Sequence, residues 1–494
     1  MQKAIEQADR IVGELGERPV AAMAYSTAWA ARLANEDGEP VFPQAREWLR
    51  SRQHADGSWG GSVPNPYDRL VSTVAAVLAL CEVRGGDGAD WAATAVRAGV
   101  DYLRDHASDW RGAVGEPIGF EVVAPHLMEQ ARSADLLAID SLTDLVRLRD
   151  DKLSRVPPGA LAAQPTGLLY SLEALGDLVP LPEMAKFSAT NGSMANNPAA
   201  TGALWASTKD PAALDYLHEA ARSAGCGGMP EIYPINVFEP SWVIYLLGRA
   251  GLVPANAKEH VERLATLAGG TSEPLGVSAE FPVPDSDDTA MVANVSHAFG
   301  YESSSLLESL LSFETDDHFV GFAHERGAPV SANARVLEAF AQQPDRFAAQ
   351  IAKATTFLVD SREESAWWYD KWHLSPYYAT AQAVFGLAGT ASAGTLAGTW
   401  RWLLDGQLAD GSWGVAGGSA EETAYAVLSL DALAPSHGPV PADVRRRAHA
   451  YLREHLDCTD HVELWIGKGL YTPPTVVRAA VLAACVVSRE GGDD

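Results

Sequence analysis

The chain has 494 residues, 47% hydrophobic and 20% charged, with a formal net charge of −27. That length accommodates two or three domains with ample core, and that composition excludes a disordered chain. The anionic field repels nucleic acid and anionic lipid, so neither is an expected partner; an anionic substrate would need a local basic patch or a divalent cation.

The first residues, "MQKAIEQADRIVGEL", form an amphipathic helix with no apolar core run, unlike a signal peptide. Ala- and Leu-rich segments at helical spacing then recur: "RLVSTVAAVLALCEV", "PTGLLYSLEALGDLV", "PSWVIYLLGRAGLV", "EETAYAVLSLDALA" and "PTVVRAAVLAACVVS". Gly, Pro, Asp and Asn loops separate them, and strand alternation is scarce, so the expected class is all-α, built from helical hairpins. No stretch reaches about 18 uncharged apolar residues, so no membrane span is predicted. The four cysteines, Cys81, Cys226, Cys458 and Cys485, form no C-x-x-C pair. Neither a zinc or redox site nor a disulfide framework is indicated, and a reducing cytoplasm fits.

One element repeats. "QHADGSWGG" spans 53–61 and "QLADGSWGV" spans 407–415, each after a Trp-Leu helix end. Asp-Gly-Ser makes a tight turn, and Trp59 or Trp413 covers the end of the next helix. The bland reading, a structural clamp, is preferred, and two copies indicate two related helical domains. "GGTSEPLG" at 269–276 marks the best internal boundary.

Just beyond it, "FPVPDSDDTA" crowds Asp285, Asp287 and Asp288 together. Three readings compete. Asp at a helix start is a favoured N-cap and complements the dipole. A D-x-D-D cluster offers oxygen ligands for Mg²⁺, although the spacing is not that of an EF-hand. Crowded carboxylates also raise one another's pKa, keeping one as a proton donor. Further on, "AWWYDKWHLSPYY" (366–378) concentrates Trp367, Trp368, Tyr369, Trp372, Tyr377 and Tyr378. These rings are either a core cluster or a box whose π-faces stabilise a cation. A shielded acid beside such a box points to protonation of an alkene.

The same residues carry a resemblance. "DSDDTA" matches the D-x-D-D-T-A motif of class II terpene cyclases, and the "QxxDGSWG" elements resemble that family's QW motifs. "AYSTAWAARL" resembles the family's N-terminal S-x-Y-D-T-x-W-x-A signature, with Ser26 where Asp is usual. Further blocks, including "QPTGLLYSLEAL", "PEIYPINVFEPSW" and "ELWIGKGLYTPPTVVRAA", follow in family order along essentially the whole chain. The chain is most similar to bacterial class II diterpene cyclases of the copalyl, kolavenyl and tuberculosinyl diphosphate synthase group.

The resemblance implies two α-barrel (α/α toroid) domains. Residues 1–20 plus 276–494 would form the β domain, residues 21–275 an inserted γ domain, with the active site in the cleft between. Asp287 would be the general acid, supported by Asp285 and Asp288, with Asn333 as its polar partner. Trp367, Trp368, Tyr369, Trp372 and Tyr378 would wall the cavity, and His373 would be structural. Tyr170 and Glu231 fall where plant ent-copalyl enzymes place the His and Asn that end the reaction, so deprotonation is expected there. Lys152, Arg155, Lys371 and Lys468 are candidate diphosphate counter-charges, and Asp109 and Glu116 candidate Mg²⁺ ligands. The implied reaction cyclises geranylgeranyl diphosphate to a bicyclic copalyl-type diphosphate with the diphosphate retained. The product would pass to a downstream class I synthase or a hydrolase, and the enzyme would be a monomer or homodimer. Rearranged kolavenyl or halimadienyl products, a drimenyl product from farnesyl diphosphate, and a non-catalytic isoprenoid-binding scaffold are the alternatives.

Overall fold

The computed structural model describes residues 2–83, 89–137, 142–157, 159–269, 273–322 and 327–489. Its helices sort into two units, each around its own core. The first core gathers Tyr25, Trp59, Val74, Phe120, Leu172, Leu204 and Leu217. The second gathers Ile11, Trp242, Met291, Leu337, Tyr378, Leu428 and Leu482. Helices such as Pro66–Cys81 and Ala420–His437 are buried nearly all round. Helices buried on nearly every side suit the inner wall of a barrel, with more amphipathic helices outside.

The inserted unit is stitched shut at its root. Ala22–Met23 pairs antiparallel with Met229–Pro230, bringing the unit's start and end together. The unit therefore ends near residue 235, not at 275. The Phe238–Arg249 and Ala257–Gly269 helices bury Trp242, Leu246, Val261 and Leu264 in the second core, beside the Gln2–Gly13 helix. The Gly-rich stretch at 269–276, of which 270–272 lie outside the described residues, is thus a connector within the second unit.

The repeated turn is a clamp. Trp59 donates from Nε1 to the Leu49 carbonyl (2.8 Å) while Gln53 ties the turn to Ala95 (3.0 Å). Trp413 does the same to Leu403 (2.7 Å), with Gln407 reaching Val444 (3.0 Å). Trp368 is a third copy: its Nε1 donates to Leu358 (2.7 Å) and its backbone N to Thr380 Oγ1 (3.2 Å). All three are 0% exposed, so Trp368 is a fold clamp, not a cavity wall. Trp413→Ala is expected to cost about 3–5 kcal/mol, combining lost burial with a cavity. The measurement is the denaturation midpoint of the second unit.

A hairpin, Trp465–Ile466 with Leu470–Tyr471, bridges the two units. Ile466 N donates to Trp372 O (2.9 Å) on the second side, while Ile118 N of the first donates to Gly467 O (2.7 Å). Among the described residues, no helix is long and apolar enough to cross a membrane.

Candidate active site

Asp285 is the N-cap of the Ser286–Ala298 helix. Its backbone is extended and its Oδ1 accepts from Asp288 N (2.7 Å). Ser286 Oγ donates to Val320 O (2.8 Å), and Thr289 Oγ1 to Asp285 O (2.6 Å), so the helix start is pinned on several sides. The capping reading thus accounts for Asp285 but leaves the other two carboxylates unexplained. Asp285 and Asp288 are 4% and 5% exposed, whereas the Asp287 side chain keeps 15%. Asp287 is the member of the triad open to a reactant.

Its partner is Arg335, whose Nη1 forms an ion pair with Asp287 Oδ1. That guanidinium is 1% exposed, donates from Nη2 to Tyr378 OH (2.7 Å) and Gln382 Oε1 (3.1 Å), and sits 4.5 Å from the Trp242 ring centroid. Asn333 is not the partner. Its Oδ1 accepts from Phe319 N (2.9 Å) and its Nδ2 donates to Phe319 O and Pro329 O (both 2.8 Å). The amide is consumed in holding a loop.

Burial pushes all three carboxyls above the ordinary carboxylate range. Asp285 rises to about 7, chiefly through burial with Asp287 adding repulsion. Asp288 rises well above normal through burial and the charges of Asp285 and Asp287. Asp287 rises through burial despite the opposing Arg335. Asp288 Oδ1 is buried with no hydrogen-bond partner. Among the described residues, no group of three or more His, Cys, Asp or Glu side chains is placed to hold a metal.

The ring cluster differs in part from the expected one. Tyr378 lies at the centre, stacked on His373 (4.5 Å) and edge-on to Trp465 (5.0 Å) and Tyr425 (5.2 Å). Trp372 meets Phe322 edge-on (5.8 Å) beneath the Lys371 ammonium (4.2 Å). Trp367 instead stacks on Trp402 (6.3 Å), with Tyr369 against it (4.6 Å). Trp367 belongs to an outer ring stack, and Tyr369 is 42% exposed. The His373 ring is held from both sides: its Nδ1 accepts from Ser375 N (3.1 Å) and its Nε2 faces Glu421 (3.3 Å).

A cavity of about 310 Å³ opens between the units, lined by Gly115 and Glu116 from the first and Tyr369, Asp370, Lys371 and His373 from the second. Asp370 and Lys371 both act electrostatically on Asp287, so this opening lies beside the acid. Glu116 is pushed up to about 7 by burial and by Glu121, and Lys152 opposes that rise from its ion pair with Glu121 (3.2 Å). Lys152, Lys371 and Glu116 therefore gather on the cleft side. Asp109 does not: it bonds exposed His106 (2.8 Å), and the carboxylate whose charge acts on Glu116 is Glu121. Arg155 is exposed beyond the Leu142–Leu153 helix. Lys468 is not a cleft counter-charge but is buried on Glu173.

Tyr170 and Glu231 form a second polar site. Tyr170 OH donates to Glu231 Oε1 (2.7 Å), and Lys468 N donates to the same oxygen (2.8 Å). Glu231 is 0% exposed, and burial pushes it up to about 7 against the pull of Lys468 and Tyr170. Burial raises the Tyr471 pKa, and the charges of both Glu231 and Asp288 add to that rise.

Comparison with known proteins decides the family. The Squalene-hopene cyclase C-terminal domain family matches residues 326–437. The chain is 32% identical to "Type B diterpene cyclase" of Mycobacterium tuberculosis, over 94% of this chain and 95% of that protein. It is 34% identical to "Ent-copalyl diphosphate synthase" of a Streptomyces species, over 90% and 88%. The solved ent-copalyl diphosphate synthase of Streptomyces platensis superposes with a TM-score of 0.79 at 30% identity, covering 98% of this chain and 99% of that one. The chain belongs to the bacterial class II diterpene cyclases.

In this cyclase, sequence reasoning missed Arg335, Trp242, Tyr425, Trp465 and Glu121. Arg335 lies two residues after Asn333 in "SANARVLEAF". Its signal was a cation on a helix that is buried along nearly its whole length.

Proposed function

We propose that the enzyme cyclises geranylgeranyl diphosphate, by protonation, to a bicyclic copalyl-type diphosphate. The observation that carries this reading is the acidic triad: Asp285 caps the helix, Asp288 is buried beside it, and Asp287 pairs with the buried Arg335 while keeping 15% of its side chain exposed. The names of the relatives agree with it.

The chemistry follows from the surroundings. Asp287 donates its proton to the terminal alkene, the alkene pair forms the new C–H bond, and a tertiary cation results. Arg335 stabilises the carboxylate left behind, which makes the acid stronger than a lone buried carboxyl. Two further alkenes add in turn and close the decalin. The π-faces of Trp242, Tyr378, Tyr425 and Trp465 stabilise cationic charge, and their packing excludes water that would quench it. A chain held pre-folded gains much of the rate from orientation alone. Glu231 then takes the terminating proton.

Magnesium would partly neutralise the diphosphate. Mg²⁺ is commonly held by one or two carboxylates plus substrate phosphates, and Glu116 with Glu121 fits that requirement. Lys371 and Lys152 would supply the remaining positive charge.

The test incubates the enzyme with geranylgeranyl diphosphate and Mg²⁺, dephosphorylates the products and reads them by mass spectrometry with chiral standards. A copalyl-type bicyclic alcohol is expected. A rearranged skeleton would revise the product, and turnover of farnesyl diphosphate alone would revise the substrate. No turnover of either would overturn the reading.

A further inference from the structure

The bridging hairpin carries a charged residue across the boundary between the units. Its turn, Gly467-Lys468-Gly469, leaves the second unit and enters the first. A Cβ on Gly467 would lie 2.5 Å from Glu231 Cδ, and one on Gly469 would lie 2.5 Å from Asp68 Oδ1. A side chain on either neighbour of Lys468 would crowd Glu231 or Asp68, so glycine on both sides lets the turn seat without displacing them. Lys468 is 1% exposed. Its ammonium contacts Glu173 Oε1 and Asn197 Oδ1 (2.8 Å) and lies 4.9 Å from the Tyr170 ring centroid. Tyr25 OH supports Glu173 (2.8 Å), and Asn197 Nδ2 donates to the Glu231 carbonyl (2.8 Å).

This cage leaves Glu231 half-committed. Oε1 is held by Tyr170 OH and Lys468 N, while Oε2 is buried with no partner. An orphaned buried carboxylate oxygen is costly unless something arrives to use it.

We propose that Lys468 is a positioning residue for termination: inserted from the second unit, it fixes Glu231 with one oxygen free and keeps it anionic until the final cation forms. The inference rests on Glu231 as the terminating base. In that step a C–H bond beside the tertiary cation breaks, its electron pair becomes the product alkene, and the proton bonds to Glu231 Oε2. Lys468 keeps its own protons throughout. The ionisable groups around Glu231 are Tyr170, Glu173, Lys468, Tyr471 and Tyr25.

The test follows the ratio of normal alkene product to water-captured or rearranged products against pH. In the wild type, that ratio should fall as pH drops through about 7, where Glu231 takes up a proton. Lys468→Met removes the opposing cation and should move this onset up by about one pH unit. Glu173→Gln removes a nearby anion and should move it down. A merely structural role would shift neither in opposite directions. If Glu231→Gln changes the product but the other two variants leave the onset in place, the role of Lys468 is overturned and the base stands. If Glu231→Gln yields the wild-type product, the base itself is wrong and the inference falls with it. Should Lys468→Met fail to fold, Glu173→Gln decides: an unmoved or upward onset overturns the proposal.

Discussion

Asp287→Asn should cripple cyclisation, with turnover falling by about 10²–10⁴-fold, because that is roughly what a general acid contributes and no other carboxyl replaces it here. Asp285 is bound to the helix start through Asp288 N, and both neighbours lie deeper than Asp287. The amide keeps the size of the carboxyl and its Oδ1 still accepts from Arg335, so the substitution removes the proton without emptying the site. The buried Arg335 charge then lacks its carboxylate, so the melting temperature should fall, while geranylgeranyl diphosphate should still bind and protect against thermal unfolding. Single-turnover assays with mass-spectrometric detection give the rate, and scanning fluorimetry gives the stability. Residual turnover within tenfold of the wild type would show that another group delivers the proton.

The buried acidic triad at a helix start was legible in the sequence because its determinants are local. The N-cap, the helix start and the three carboxylates fall within four residues, and spacing on a helix fixes their relative placement. The all-α class was legible for the same reason, from periodicity. What the sequence hid was long-range. Arg335 lies 48 residues from Asp287, and only packing shows that its charge is buried. Trp368 was hidden in a run of rings that point in different directions. Its turn lacks the Asp-Gly-Ser of the other copies and places Glu364 and Ser365 at φ of 49° and 59°. Lys468 read as a cleft cation because a sequence shows charge without its partner, here Glu173, 295 residues away. The start of the second unit was misplaced because Gly and Pro mark loops, whereas unit membership is set by which core a helix buries.

Arg335→Met should separate acid strength from fold. Methionine fills much of the aliphatic volume but leaves Asp287, Tyr378 and Gln382 without the guanidinium. Breaking a buried ion pair on one side costs about 3–5 kcal/mol when the remaining charge stays buried. Asp287 avoids part of that cost by taking up a proton. Arg335 now pulls the Asp287 pKa down against burial, so removing it raises that pKa further. The active form is the protonated one, and it is lost as pH rises through the pKa. The alkaline limb of the rate profile should therefore move to higher pH in the variant. The plateau rate should fall, because a weaker acid protonates an alkene more slowly. Stability should follow the same sign: the deficit is largest at alkaline pH, where Asp287 is charged and alone, and shrinks as pH falls. A variant with a lower plateau but an unmoved alkaline limb would show that Arg335 only packs the site. The double variant Asp287→Asn with Arg335→Met closes the cycle. With no carboxylate left to compensate, the second substitution should cost less stability than it does in the wild type.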